Sequence, residues 1–278
     1  MKRFVTTTLA GALIAGFAWA AAPAADAHAS ADVKWYGQAA FRIKTPGGKV
    51  IVIDPFITKN PKTPADDKDL AKLGKVDLIL VTHGHGDHIG DTAALAKMTG
   101  AKVGVNADMG HTMRILGMVP KEQLIRFNKS GPITPLGPDI TITMTHAEHS
   151  SEIVSKKSGV EAIYPGGEPA GYIIKLEDGY TIYHSGDTGV FKDMELIHDL
   201  YKPDLALICI GGWFTMDPRH AAYAVNKFLK PKTVMPMHYG TFGLLKGTPD
   251  QLKTHLSGMG DTTEIVVMQP GDEKTFGK

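Results

Sequence analysis

The chain has 278 residues, with 30 Lys and Arg against 29 Asp and Glu, 12 histidines and one cysteine. Near-neutral charge without a basic block argues against nucleic acid as a partner, and a single cysteine excludes an internal disulfide. A chain of this size buries about 70–75% of its extended surface, enough for a full core without staples.

Met1-Lys2-Arg3 precede a weakly apolar stretch from Phe4 to Ala22, and small residues then lead to Ala27-His28-Ala29. A charged start, an apolar centre and an Ala-x-Ala site are the layout of a secretory signal. Residues 1–29 are therefore expected to be a signal peptide cleaved after Ala29, with Ala27 as the near alternative. The apolar centre is short and broken by Thr6-Thr7-Thr8, which disfavours a membrane anchor. The expected location is periplasmic or secreted. Loss of Lys2, Arg3 and Asp26 leaves 28 basic and 28 acidic residues.

Residues 30–278 read as one domain of mixed strands and helices. Val33–Gly37, Ala40–Lys44 and Lys49–Asp54 are predicted strands, the last two joined by the turn Thr45-Pro46-Gly47-Gly48. Asn60–Lys68 is Pro-, Lys- and Asp-rich and reads as an exposed loop near the site. Val76–Val81 is an apolar run typical of a buried strand. A helix over Thr92–Met98, a strand over Ala101–Val105 and a helix over Asp108–Leu116, closed by Gly117, follow. Asp139–Thr145 alternates with period two and ends in His146-Ala147-Glu148-His149-Ser150-Ser151. The polar stretch from Glu152 to Glu168 is long enough for a lid or substrate loop. Gly171–Leu176 and Tyr180–His184 form a hairpin that runs into Ser185-Gly186-Asp187. A helix over Lys192–Tyr201 leads to the strand Leu205–Ile210, where Cys209 reads as a small core residue. Helices over Pro218–Leu229 and Pro249–Leu256 flank the strand Thr233–His238, and a last strand is expected over Glu264–Met268.

The chemistry concentrates in Thr82-His83-Gly84-His85-Gly86-Asp87-His88, directly after a predicted strand. Imidazole nitrogens with a carboxylate are ligands that Zn²⁺ and similar first-row ions prefer. Gly84 and Gly86, lacking a Cβ, let the backbone turn sharply so that neighbouring side chains can converge. His149, Asp187 and His238 likewise stand at or just beyond the ends of predicted strands. Polar groups at the same ends of several strands can meet in one cleft.

With these motifs the chain resembles the metallo-β-lactamase superfamily, whose pattern is His-x-His-x-Asp-His, a distant His, a distant Asp after Gly, and a final His. Ala147-Glu148-His149-Ser150-Ser151, Tyr183-His184-Ser185-Gly186-Asp187-Thr188-Gly189, Pro236-Met237-His238-Tyr239 and Phe214-Thr215-Met216-Asp217-Pro218 narrow the resemblance further. They are similar to a branch of uncharacterised metal-dependent hydrolases related to the ascorbate-6-phosphate lactonases. The resemblance implies an α/β fold, a four-layer αββα sandwich, and two divalent ions, Zn²⁺ first with Mn²⁺ or Fe²⁺ as alternatives. His83, His85 and His149 would hold one ion, Asp87, His88 and His238 the other, and Asp187 would bridge them. A shared water would then be acidified to hydroxide and attack an ester, a small lactone first, with a phosphodiester as the alternative substrate. Asp87 is the candidate for orienting that water or passing a proton. True β-lactamases of the superfamily commonly carry cysteine where Asp187 falls, so that activity is not expected. A periplasmic metal- or ligand-binding protein without catalysis is the rival from another class.

Among the remaining polar residues, His146, His220 and Tyr239 are candidates to touch a small-molecule substrate. His184, three residues before Asp187, is expected either to steady the site by a hydrogen bond or simply to pack. Asp54 is expected to support the metal loop, and Trp35, Trp213 and Phe214 to line the core or the pocket wall. His111, His198 and His255 are expected at the surface.

Overall fold

The computed structural model describes Met1 and residues 30–157 and 159–277, so the expected signal peptide lies, beyond Met1, outside the described residues. Among those residues no helix is long and apolar enough to cross a membrane.

Period-two alternation divides the first strands, β1 (Ser30–Gly37), β2 (Ala40–Lys44), β3 (Val50–Ile53) and β4 (Leu78–Leu80), between two apolar layers. Val33, Trp35, Phe41, Ile43, Ile51, Ile53, Leu78 and Leu80 enter one buried cluster. Ala40, Val50, Val52, Ile79 and Val81 enter the other. One side chain set thus faces a second sheet and the next set faces helices.

After β4 come a single turn α1 (Gly86–Ile89), α2 (Thr92–Thr99), β5 (Lys102–Asn106), α3 (Ala107–Ile115) and β6 (Leu124–Phe127). The middle of the chain holds β7 (Thr141–His146), β8 (Glu152–Lys157), β9 (Val160–Pro165), β10 (Ala170–Lys175) and β11 (Thr181–His184). Then follow α4 (Met194–Tyr201), β12 (Leu205–Cys209), α5 (Pro218–Ala224), which continues as one wider turn over Val225–Leu229, and β13 (Thr233–Met237). The chain closes with α6 (Pro249–Gly258), β14 (Glu264–Ile265) and β15 (Glu273–Gly277).

A seven-stranded sheet runs β15-β1-β2-β3-β4-β5-β6 and a six-stranded sheet β14-β13-β12-β11-β10-β7. Their facing sides form the larger apolar cluster, which also takes Met194 and Ile197 of α4, Ala221 of α5 and Leu252 of α6. Leu95 of α2 with Met109 and Met113 of α3 cover the other side of the first sheet. The arrangement is the expected αββα sandwich.

The sequence expectations differ from the structure in several places. Residues 152–168 are not an open loop: β8 and β9 pair antiparallel from Glu152↔Pro165 to Lys157↔Val160. Ile153 is buried on the α3 side while Val154, Lys156, Glu161 and Ile163 face water, so apolar and polar residues share the outer face and hide the strand period. The segment 60–68 is anchored, since Asn60 and Thr63 are buried and the Thr63 hydroxyl donates to the Tyr36 carbonyl. The last expected strand shrinks to β14, whereas β6 and β15 form strands where none was expected. His198 is half-buried, its ring nitrogen 3.1 Å from the Leu229 carbonyl, because α4 packs on the end of the helix after β12.

Strand direction places the site. In the second sheet β11, β12 and β13 are mutually parallel, and β7 runs the same way through antiparallel β10. In the first sheet β3 and β4 are parallel. The C-terminal ends of β3, β4, β7, β11 and β13 therefore open on one end of the sandwich.

Candidate metal centre

Asp54, directly after β3, holds a backbone φ of 45° and is fully buried. Its carboxylate accepts from the Thr82 amide at 2.8 Å, the Thr82 hydroxyl at 2.7 Å and His88 Nδ1 at 2.8 Å. A carboxylate cannot donate, so Nδ1 of His88 carries the proton and Nε2 faces the centre. The Thr82 hydroxyl, already donating to Asp54, accepts from His83 Nδ1 at 3.0 Å, which turns His83 Nε2 inward as well. Asp54 thus sets two imidazoles at once, one of them through Thr82, in the supporting role expected of it.

Glycines around this loop serve close approach more than bending. A Cβ on Gly84 would meet Ile153 Cγ1 at 2.8 Å and the Glu152 carbonyl at 2.9 Å, so the β8–β9 hairpin can lie against the loop. A Cβ on Gly90, at φ +28°, would meet the Pro55 carbonyl at 2.5 Å.

The seven predicted ligands come together as two interlocked groups. His83 Nε2 lies 3.0 Å from His85 Nδ1, which is 3.3 Å from His149 Nε2. Asp87, His88 and His238 form the second group, with Asp87 Oδ2 3.7 Å from His88 Nε2 and 3.5 Å from His238 Nε2. Asp187 Oδ2 sits between them, 3.0 Å from His238 Nε2, 3.3 Å from His88 Nε2 and 3.6 Å from His149 Nε2. His88 Nε2 and Asp187 Oδ1 are buried with no hydrogen-bond partner among the described residues. Converging imidazole lone pairs, buried carboxylates and orphaned acceptors fit a metal site.

Charge follows the same geometry. Burial and the neighbouring imidazoles push His83 well below the usual histidine range, and burial likewise lowers His149. Burial opposes ionisation of Asp187, yet His238 and His88 outweigh it and hold the carboxyl well below the usual range. Burial opposes charge on His88, but Asp187, Asp87 and Asp54 raise it well above the ordinary value. His238 is carried to about 9 against its own burial, chiefly by Asp187. The buried carboxylates thus favour positive charge at His88 and His238, the charge that a bound metal ion would supply instead.

One member of the site escapes sequence reasoning. Gln38, fully buried at φ 52° in the turn after β1, places its amide nitrogen 2.8 Å from Asp87 Oδ2 and 2.7 Å from His238 Nε2. Its backbone carbonyl accepts from the His238 amide and from Trp35 Nε1, both at 3.0 Å. The only local signal is a polar residue between two apolar strands.

His184 both packs and supports: its Nδ1 accepts from the Gly186 amide at 3.1 Å and its Nε2 meets the Ala39 carbonyl at 3.0 Å. Cys209 is buried, as expected. Five of the candidate ligands, His85, Asp87, His149, Asp187 and His238, line a cleft of about 770 Å³ together with Gln38, Phe56, Lys59, Ser150, Phe214, Phe242 and Leu245. The three expected substrate contacts lie elsewhere. His146 is exposed, 3.0 Å from Glu148 and edge-on to Phe191. His220 is exposed and paired with Asp217 at 2.9 Å, as a helix start requires. Tyr239 packs 5.6 Å from Trp35 and lines a separate cavity of about 500 Å³, just past the left-handed backbone of His238 at φ 56°. Trp213 is largely exposed rather than packed, and only Phe214 of that pair enters the cleft lining.

Residues 49–239 match the Beta-lactamase superfamily domain. The chain is 53% identical over 249 residues to a UPF0173 metal-dependent hydrolase of Cupriavidus necator, covering 88% of this chain and 86% of that protein. It is 47% identical over 281 residues to a UPF0173 metal-dependent hydrolase of Polynucleobacter asymbioticus, covering 99% and 98%. Among solved structures it is similar to Igni18, described as a metallo hydrolase from the archaeon Ignicoccus hospitalis. That match has a TM-score of 0.76 at 35% identity, covering 90% of this chain and 99% of the other. A ligand cluster at the strand ends of an αββα sandwich, the domain match and this level of identity agree: the chain belongs to the UPF0173 metal-dependent hydrolases of the beta-lactamase superfamily.

Proposed function

We propose that the protein is a dinuclear metallohydrolase that opens carboxylic esters, small lactones first among them. The observation that carries this reading is the position of Asp187 Oδ2 within 3.6 Å of ligand nitrogens from both histidine groups. A shared carboxylate there offsets the repulsion of two neighbouring cations. His83, His85 and His149 would hold one ion and Asp87, His88 and His238 the other, with Zn²⁺ first and Mn²⁺ or Fe²⁺ as alternatives. When bound, such ions supply an acidified water and a Lewis acid for the substrate oxygen.

In hydrolysis the water oxygen bonds to the carbonyl carbon, the carbon–oxygen bond to the leaving group breaks, and the leaving oxygen takes a proton. Asp87 would orient the water or move that proton. Its side chain is partly open to the cleft, and the Gln38 amide fixes Oδ2 at 2.8 Å. Phosphodiester hydrolysis is the second reading, favoured by Lys59 in the lining of the same cleft. The leader-like residues 1–29 support export, and hence action on a small molecule in the periplasm or outside the cell.

Elemental analysis of protein prepared without added metal or chelator tests the ligand set, with about two ions per chain expected. Hydrolysis of δ-valerolactone and of bis(4-nitrophenyl) phosphate, with and without chelator, tests the chemistry. Absence of metal together with failure to take it up on titration would overturn the reading.

A further inference from the structure

Three loops from three different strand ends each present an aromatic ring to the cleft. Phe56 follows β3, Phe214 follows β12 and Phe242 follows β13, and Leu245 completes the wall. The Phe56 and Phe242 rings lie 6.4 Å apart. Backbone bonds hold these loops: Phe56 N to the Asp54 carbonyl at 2.6 Å, Phe214 N to Gly212 at 2.7 Å, and Leu245 N to Phe242 at 3.0 Å. Phe214 and Phe242 nonetheless keep 56% and 42% of their surface open. Fixed aromatic surface left in water is unfavourable until an apolar group covers it.

The polar side of the cleft is sparse once the ligands are set aside. Gln38 is engaged by Asp87, and Ser150 Oγ lies 3.3 Å from His85 Nε2. Beside them, Lys59 and the buried Gln38 Oε1, which has no hydrogen-bond partner among the described residues, are the polar groups left to meet a ligand. A polyhydroxylated substrate would therefore bury hydroxyls with few groups to receive them, a costly exchange.

We infer that the cleft selects esters or lactones carrying an apolar alkyl or aryl substituent, seated on Phe56, Phe214 and Phe242, over polyhydroxylated sugar lactones. This rests on the hydrolase reading of the same site and gives it a substrate class. The substituent lies along the aromatic wall while the carbonyl faces the ligand cluster.

The test compares δ-valerolactone, δ-decalactone and glucono-δ-lactone as substrates of the metal-loaded protein. It also measures binding of the ring-opened acids 5-hydroxypentanoate and 5-hydroxydecanoate by calorimetry. Specificity for the decalactone is expected to exceed that for the valerolactone about tenfold or more, with the gluconolactone slowest. That preference should shrink several-fold in F214A and again in F242A, both exposed loop positions whose folding is checked by melting. Equal or reversed preference in turnover overturns the inference. If none of the three lactones turns over, the lactone reading of the site falls. The inference then stands on tighter binding of the longer acid, lost in F214A, and is overturned by equal binding of the two acids.

Discussion

Asp54 Oδ2 and His88 Nδ1 meet at 2.8 Å in a fully buried pair, so one carboxylate outside the ligand set orients an imidazole within it. Removing that carboxylate in D54A strands the Thr82 amide and His88 Nδ1 without an acceptor. A loss of about 3–5 kcal/mol is expected in urea unfolding, the range for breaking a buried ion pair. D54N keeps the volume and one acceptor, so it should cost less stability yet still weaken metal affinity about 10–100-fold by calorimetry.

Asp187 and Asp87 are expected to separate by assay. D187N should lose metal from the centre and most activity together, because its oxygen touches both histidine groups. D87N retains an oxygen for the ion but no longer moves a proton. It should keep metal content near that of the parent while kcat falls about 10²–10⁴-fold. Equal metal loss in both variants would assign Asp87 to binding alone.

Chelation should lower the melting temperature, and readdition of Zn²⁺ or Mn²⁺ should restore it. Ligand held at a hundred times its Kd stabilises by about 2.7 kcal/mol per site. A differential scanning measurement with either metal checks this and ranks the two ions.

Asp77 provides a pH dependence away from the centre. Burial works against its charge, but Lys75 at 2.7 Å and the Val50 amide at 2.9 Å outweigh it and lower the pKa. A depressed carboxylate contributes stability that is present above its unfolded value, roughly 3.9, and is lost as pH falls through the folded one. D77A should therefore cost about 1 kcal/mol at neutral pH. The gap from the parent should narrow below about pH 4 in urea melts.

G84A should disturb the site without touching a ligand. A methyl there meets Ile153 and the Glu152 backbone, and the Gly84 amide donates to Ser150's neighbour Ser151 at 3.1 Å. Displacing the hairpin is expected to raise KM more than it lowers melting temperature, as steady-state kinetics and a thermal melt can show.

How far the site was legible depended on how local its chemistry is. His83, His85, Asp87 and His88 declare themselves because four ligand side chains within six residues have few other uses. His149, Asp187 and His238 each stand at or just past a strand whose apolar run ends abruptly. His146, His220 and Tyr239 were candidates for substrate contact from their neighbours in sequence, and their surroundings in the fold leave them outside the cleft lining. Gln38 carried no such mark. Its amide reaches Asp87 across 49 positions and His238 across 200, and nothing in a Gly-Gln turn announces either.

The sequence by itself determined the ligand types, the strand ends that carry them and the period-two faces that pack two sheets together. These follow from side-chain chemistry and from backbone periodicity, both properties of neighbouring residues. Tertiary structure alone decided that 152–165 pairs as a hairpin against the metal loop and that β15 closes the edge beside β1. It alone decided that three phenylalanines from distant loops share one wall. Each depends on burial and on register between segments far apart in the chain, and those energies exist only once the sheets have assembled.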